Sequence, residues 1–355
     1  MKAAVLTSPR KVEIQDLPQP EPGPGEVLVR VCRAAICGTD HHIYLGEFEG
    51  RVKYPAVLGH EFGGVVEAVG PPPGGTLSGV REPPLPGTRV AVDPDIHCGT
   101  CPACREGTFS ACSSLRLIGV DLRGAFAEYV VVPAANCHAL PDSVTDELAP
   151  FAELYGIACH SVGRAEVRPG DVAVVMGSGR VGLVITDLLC GSFASEVVVV
   201  DVEPSKLEIA KELGASRVIN SAEEDPVAGV LELTGGEGAD RVFEAVGAWT
   251  EVPGRPNPME QCFRMVRSSG RVTILGQGPD AAGVLWKPFV WKEAEARTSR
   301  VNRGEFPRAI RLLAAGRLHP RRLVTHDFAL AEAARAFEVL DDPAERPVKI
   351  RIAVS

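Results

Sequence analysis

Apolar positions along the chain change their period near residue 145. Before it they come in short alternating runs, Lys2–Leu6, Val27–Cys32, Val65–Val69 and Thr88–Val92, divided by Pro and Gly as in Pro18–Gly25. Alternation of this kind marks half-buried strands, and the Pro/Gly clusters mark their connections. Ala56–Leu58, Ala125–Val132 and Asn136–Leu140 extend the pattern, which predicts a barrel-like, β-rich N-terminal domain. Pro71–Gly87 reads as a surface excursion. Beyond residue 145 the runs lengthen and alternate in kind. Asp146–Val162 has helical spacing, and Asp171–Met176 is continuously apolar, like a strand buried on both faces. An apolar helix runs to about Cys190, then a strand over Glu196–Val200. Pro204–Leu213 and Met259–Val266 read as helices, and Arg217–Ile219, Asp240–Ala245 and Arg271–Leu275 as strands. This β/α alternation predicts a doubly wound parallel sheet, and so an α/β protein overall. In the tail, Glu305–Ala315 and Leu330–Leu340 read as helices and Val348–Ala353 as a strand.

Composition narrows the function classes. A chain of 355 residues exceeds one ordinary core, so two domains are expected. A net charge of −9, with three Trp and four Tyr, argues against nucleic acid as a partner. No stretch reaches the roughly 18 uncharged apolar residues of a membrane helix; residues 172–190 come nearest but contain Arg180 and Asp187. Met1–Arg10 has no apolar run of signal-peptide length, so a soluble cytoplasmic protein is the expectation. Ten cysteines are present, four of them clustered at 98, 101, 104 and 112, which points to metal rather than disulfides in such a compartment.

Three stretches carry chemistry. Cys98, Cys101, Cys104 and Cys112 can close a tetrahedron of thiolates around one zinc, leaving no place for water, which makes that site structural. Cys37-Gly-Thr-Asp-His-His42 and Gly59-His-Glu61 bring together a thiolate, a hydroxyl, imidazoles and carboxylates. A catalytic zinc needs three such ligands and an open position. Gly177-Ser-Gly179-Arg180-Val181-Gly182 follows a strand, opens a helix, and precedes Asp201 at the end of the next strand. In that context the glycines fit a dinucleotide: Gly177 for the turn, Gly179 for backbone approach to the pyrophosphate, Gly182 for helix packing. The helix N-terminus, starting at Arg180 and Val181, then faces the phosphates. Asp201 can accept from the adenosine ribose hydroxyls, whereas a 2′-phosphate would meet Asp201 and Glu203 with only Lys206 nearby, so NAD is expected over NADP. Gly247 and Gly276 fall just beyond strand ends, where such folds bind ligands. Cys32, Cys137, Cys159, Cys190 and Cys262 read as core residues, and His97, His138, His160, His319 and His326 as structural or surface ones.

Taken together, Cys-Gly-Thr-Asp-x-His at 37–42, Gly-His-Glu-x-x-Gly at 59–64, the four-cysteine cluster and the glycine turn resemble the zinc-dependent medium-chain alcohol dehydrogenases, over essentially the whole chain. The polyol (sorbitol-like), butanediol and threonine dehydrogenase branch is the most similar. The resemblance implies a GroES-like catalytic domain of residues 1–148 and 291–355, with a Rossmann domain of residues 149–290 inserted. It makes Cys37 and His60 ligands of a catalytic zinc. Glu61 aligns with a carboxylate that binds the metal or sits behind it. Glu153 aligns with the last ligand position, although Leu154 stands where the branch has Pro. Thr39 and His42 align with a proton relay, with His41 the competing histidine. Trp286, Trp291, Arg300 and Asn302 fall where the family lines its substrate pocket or subunit contacts. The implied reaction is hydride transfer between NAD and a secondary alcohol of a polyol, cyclitol, diol or amino alcohol, with two zinc ions per chain, in a homodimer or homotetramer. A zinc-free quinone or enone reductase on the same fold, and a non-catalytic NAD-binding protein, are the competing readings.

Overall fold

The short alternating runs close on one central strand. In the computed structural model, which describes residues 1–48, 50–72, 82–192, 196–247, 254, 256–276 and 283–355, Glu26–Ile36 pairs antiparallel with three others: Glu61–Val69, Tyr129–Pro133 and Lys349–Ala353. Arg89–Val92, Cys137–Ala139 and Val324–Ala329 complete a seven-stranded sheet. Val27, Val29, Val31 and Ala34 are fully buried and pack with Phe62, Phe126 and Phe337. Each apolar side chain of this size is worth about 1.5–3 kcal/mol when buried, so the alternation selects the sheet. This sheet belongs to a compact unit of Met1–Gly156, Asn302–Ala315 and Val324–Ser355.

Register in this sheet places chemistry. Ala35 lies opposite Glu61, and Ile36 opposite Ile350. The chain leaves the strand at Ile36, and Cys37, still extended, caps the helix Gly38–Leu45. Three neighbouring strand ends therefore deliver Cys37, His60–Glu61 and Lys349 to one place.

The second unit comprises Ile157–Val301 and Gly316–Leu323. Its six strands are all parallel, in the spatial order Arg217–Asn220, Glu196–Asp201, Val172–Met176, Ala239–Glu244, Val266–Ile274 and Glu295–Thr298. Numbered along the chain this is 3-2-1-4-5-6, the doubly wound order whose switch point binds dinucleotides at the carboxyl strand ends. Val174, Val198, Val200 and Val242 are fully buried beneath the covering helices.

Several elements differ from the sequence expectation. The second unit runs to Val301 rather than 290, because Glu295–Thr298 adds a parallel edge strand. Arg271 fastens that edge with paired bonds to the Glu295 carboxylate at 3.1 Å. The expected helix Asp146–Val162 is a 3-10 turn, Asp146–Leu148, followed by the helix Phe151–Ala165; Pro150 between them cannot sit inside a helix. The edge strand Val324–Ala329 and the helix Pro226–Leu233 add to the expected elements. Of the excursion Pro71–Gly87, residues 73–81 lie outside the described residues. No described helix is long and apolar enough to cross a membrane.

A Cβ at Gly64 would lie 2.1 Å from Arg30 O, across the main strand pair. Overpacking of this kind costs about 1–3 kcal/mol or more. Gly64→Ala is expected to lower the melting temperature by roughly 5–10 °C, read by calorimetry. An unchanged Tm would contradict the pairing of Gly64 with Val31.

Candidate active site

The converging strand ends make a buried polar cluster in the first unit. The ligand atoms of Cys37, His60 and Glu61 all lie within 4.8 Å of one another. Asp40, fully buried in the first turn of the helix, holds the two segments together. Its carboxylate accepts the Cys37 N–H at 2.8 Å and the Gly59 N–H at 3.2 Å. His60 Nδ1 lies 3.4 Å from Asp40 Oδ1 without hydrogen-bond geometry and has no partner. Glu61 is also fully buried. One of its oxygens pairs with Lys349 Nζ, which donates as well to Ile36 O at 3.1 Å; the other oxygen is unpartnered.

Electrostatics in the cluster ask for a cation. Burial alone would push the His60 imidazole down, but the Asp40 carboxylate and Cys37 sulfur outweigh it and hold His60 well above its usual value. Glu153, in the first turn of Phe151–Ala165, lies outside the close trio of ligand atoms. Burial pushes it well above the usual carboxylate range, and the Glu61 carboxylate adds to that. Its Oε2 has no partner. A thiol, an imidazole and buried carboxylates with orphaned oxygens are the donor set that fits zinc. A divalent cation would relieve the repulsion among them.

The short helix leads outward from this cluster. Thr39 is half-buried, its Oγ1 4.0 Å from Cys37 Sγ. His42, three residues on and so on the same helix side, is exposed. His41 instead bonds Asp341 at 3.2 Å through Nε2 and stacks on Tyr44.

The four clustered cysteines also meet, their sulfurs within 4.8 Å of one another and without a disulfide. Backbone N–H groups of Thr100 and Cys101 bring the Cys98 thiol down to about 6. Desolvation, with the neighbouring sulfurs, pushes Cys104 up to about 12. A zinc ion at this site would hold all four sulfurs as thiolates.

In the second unit, Gly177 has φ +98°, a backbone only glycine adopts readily, and a Cβ at Gly182 would meet Gly177 O at 1.8 Å. The space beside Gly179 is open to 4 Å, leaving the cradle a phosphate would need. Arg180 and Val181 are half-buried where the helix Arg180–Ser192 begins. Asp201 is already engaged: Oδ2 accepts the Ser178 N–H at 2.6 Å, and Oδ1 accepts those of Val202 and Glu203 at 2.8 and 2.9 Å. A carboxylate has about four acceptor positions, so room for a hydroxyl remains. Lys206 follows in the helix Pro204–Glu212. Gly247 is exposed, and Gly276 donates its N–H to Glu244.

The remaining residues singled out by sequence divide cleanly. Cys32, Cys137, Cys159 and Cys262 are buried and Cys190 half-buried. His97 stacks on Phe109, His138 on Phe306 and His326 on Phe328, His160 is buried, and His319 bonds Asp187. Trp286 and Trp291 are exposed, whereas Asn302 is buried, donating to the Asp93 and Asp95 carboxylates at 3.0 Å each. Sequence reasoning missed Asp40, Lys349 and Glu244. Asp40 sat within the quoted motif, and its helical first-turn position was the available signal. Glu244 ties two strand ends by accepting from Val246 and Gly276. Nothing in the local sequence marked Lys349.

Comparison with known proteins agrees with this architecture. Residues 23–142 match the alcohol dehydrogenase GroES-like domain, and residues 181–315 the zinc-binding dehydrogenase family. The sorbitol dehydrogenase of Bacillus subtilis is 32% identical over 343 residues, covering 95% of this chain and 93% of that protein. The L-threonine 3-dehydrogenase of Pyrococcus abyssi is 35% identical over 347 residues, covering 96% and 95%. The crystal structure of the rspB alcohol dehydrogenase of E. coli CFT073, complexed with NADH, superposes with a TM-score of 0.87 at 32% identity, covering 100% of this chain and 99% of that one. The chain belongs to the zinc-type medium-chain alcohol dehydrogenase family.

Proposed function

We propose that this protein is an NAD-dependent zinc dehydrogenase that interconverts a secondary alcohol with neighbouring polar groups, as in a polyol, cyclitol, diol or amino alcohol, and the corresponding ketone. The observation that carries the reading is the close trio of half-buried Cys37 with buried His60 and Glu61, beside the Thr39 hydroxyl. A zinc-free quinone or enone reductase has no use for that donor set, and a non-catalytic NAD binder has no use for the relay. Relatives named for sorbitol and threonine fit the same substrate class.

Cys37 and His60 would hold the catalytic zinc, with Glu61 or Glu153 completing the set, and the four clustered cysteines would hold a second ion. Zinc supplies Lewis acidity toward the alcohol oxygen and NAD accepts the hydride. Thr39 Oγ1 takes the alcohol proton as the bond to hydrogen breaks. His42, by the family resemblance the outer end of the relay, is exposed and would deliver that proton to water. The Gly177–Gly182 turn would orient the pyrophosphate, and Asp201 would hold the adenosine ribose. Gly247 and Gly276, at strand ends on the same sheet edge, leave room for the rest of the cofactor. The protein acts in the cytoplasm as a homodimer or homotetramer.

Elemental analysis of unchelated protein is expected to give two zinc ions per chain. Cys37→Ser and His60→Ala should each remove one. Cys101→Ser should lower Tm by roughly 10 °C or more, since structural zinc binding is folding free energy. One ion or none in the unaltered protein would refute the two-site assignment.

Asp201→Ala is expected to weaken NAD binding about 10- to 100-fold, the worth of hydrogen bonds to a charged group, and to narrow the preference over NADP. A higher kcat/KM with NADP in the unaltered enzyme would reverse the cofactor assignment.

Thr39→Val should cost about 10²–10⁴ in kcat, the range for a positioned proton acceptor. His42→Ala should cost less, and hydroxide should restore part of the loss as pH rises, because water can take its place. Both variants should keep full zinc. Loss of the catalytic zinc from His42→Ala, with retention in His60→Ala, would exchange the ligand and relay roles.

A further inference from the structure

The helix that carries the relay ends in a way that gives His42 a partner. Gly46, with φ +88°, turns the chain into the left-handed region. Its N–H donates to Ile43 O at 3.0 Å, and the Glu47 N–H donates to His42 O at 2.9 Å. This double closure is the Schellman motif, which places the residue after the turn beside the one five positions earlier. An apolar pair commonly fills those two places. Here they hold Glu47 and His42, and the Glu47 carboxylate lies 2.5 Å from His42 Nδ1. Both side chains are about half exposed, at 54% and 53%, so neither is needed for the core.

A neutral imidazole carries one N–H, on either nitrogen. An ionised carboxylate can only accept, so the bond to Glu47 puts that hydrogen on Nδ1. Nε2 is then left with its lone pair, which is the form a proton acceptor must take. The hydrogen bond made by one ring nitrogen sets which of the two is the base. Phe48, whose ring centroid lies 6.5 Å from that of His42, flanks the imidazole on the same turn.

We propose that Glu47 is a positioning residue of the proton relay: its carboxylate, fixed by the helix-ending turn, holds His42 with Nδ1 protonated and Nε2 free to receive the proton that leaves the alcohol. The proposal rests on the reading of His42 as the outer end of the relay. No atom of Glu47 touches the alcohol or the cofactor; it acts only through His42.

The test combines tautomer and rate. In 15N-histidine-labelled enzyme, with the His42 signals assigned by their loss in His42→Ala, long-range 1H–15N correlation is expected to show Nδ1 protonated in the unaltered protein. Glu47→Ala should shift His42 toward the Nε2–H form. The same variant should lower kcat roughly two- to fivefold, the scale of an exposed charged pair, with KM for the alcohol and zinc content unchanged. Glu47→Gln, whose amide oxygen can still accept, should recover the tautomer and part of kcat. Added imidazole buffer should raise kcat in Glu47→Ala and in His42→Ala. An unaltered enzyme whose His42 carries its hydrogen on Nε2, or a Glu47→Ala enzyme with full kcat beside an impaired His42→Ala, would overturn the inference and leave the relay standing. A His42→Ala enzyme with full kcat would overturn the relay and the inference together.

Discussion

The buried carboxylate of Asp40 is the contact on which the candidate active site depends. It accepts one N–H from Cys37, which caps the helix, and one from Gly59, on the segment entering the next strand. Two backbone donors from separate segments thus converge on one side chain with no exposure to water. Hydrogen bonds to a charged acceptor are worth about 1.5–3 kcal/mol each, and an unsatisfied buried charge would cost more. The carboxylate therefore has to be where both segments are, which forces Cys37 and His60 into reach of each other. The same group draws positive charge toward His60. One residue sets both the geometry and the field of the cluster.

That field is balanced from two sides. Lys349, fully buried, supplies a fixed positive charge to one oxygen of Glu61 and anchors itself on Ile36 O. A buried ion pair gains little net stability over apolar packing, because desolvation offsets the attraction. Its value here is directional. With one Glu61 oxygen committed to Lys349, the other is left facing the cluster without a partner. The unpaired Glu153 oxygen adds a second acceptor there. The groups of the cluster left without a hydrogen-bond partner are these two carboxylate oxygens and His60 Nδ1, which are donors of the kind a divalent cation would take.

How much of this was legible in the chain follows from distance along it. The glycine turn is a contiguous hexapeptide, and Gly177 and Gly182 play the turn and packing parts their spacing predicts. The parallel sheet was readable because Ala173–Met176 and Val197–Val200 are buried and so are continuously apolar. Glu295–Thr298 was not, because an exposed edge strand of Glu, Ala, Arg and Thr carries no hydrophobic signal. That strand is why the second unit runs past its expected end. Lys349 was invisible for a related reason: it meets Glu61 across 288 residues, through strand pairing that no local pattern encodes. Glu47 lay in plain view beside Gly46, but only the left-handed turn makes it a neighbour of His42.

The two candidate metal centres divide along the same line. All four clustered cysteines come from one 15-residue stretch whose own turns point its N–H groups at sulfur, as Cys101 N does toward Cys98 at 3.3 Å and Cys98 N toward Cys112 at 3.4 Å. Such a site needs little beyond its own loop and can close completely. Cys37 and His60 come instead from different strand ends, joined through Asp40 and the register of the central sheet. A site assembled from separate segments can leave one direction without a ligand, because no single loop wraps it. The same kinds of side chain would therefore serve stability when they are near in sequence and chemistry when the fold must bring them together. An open coordination position is a consequence of tertiary structure, and that separates the candidate active site, at the convergence of strands, from the cysteine cluster in its loop.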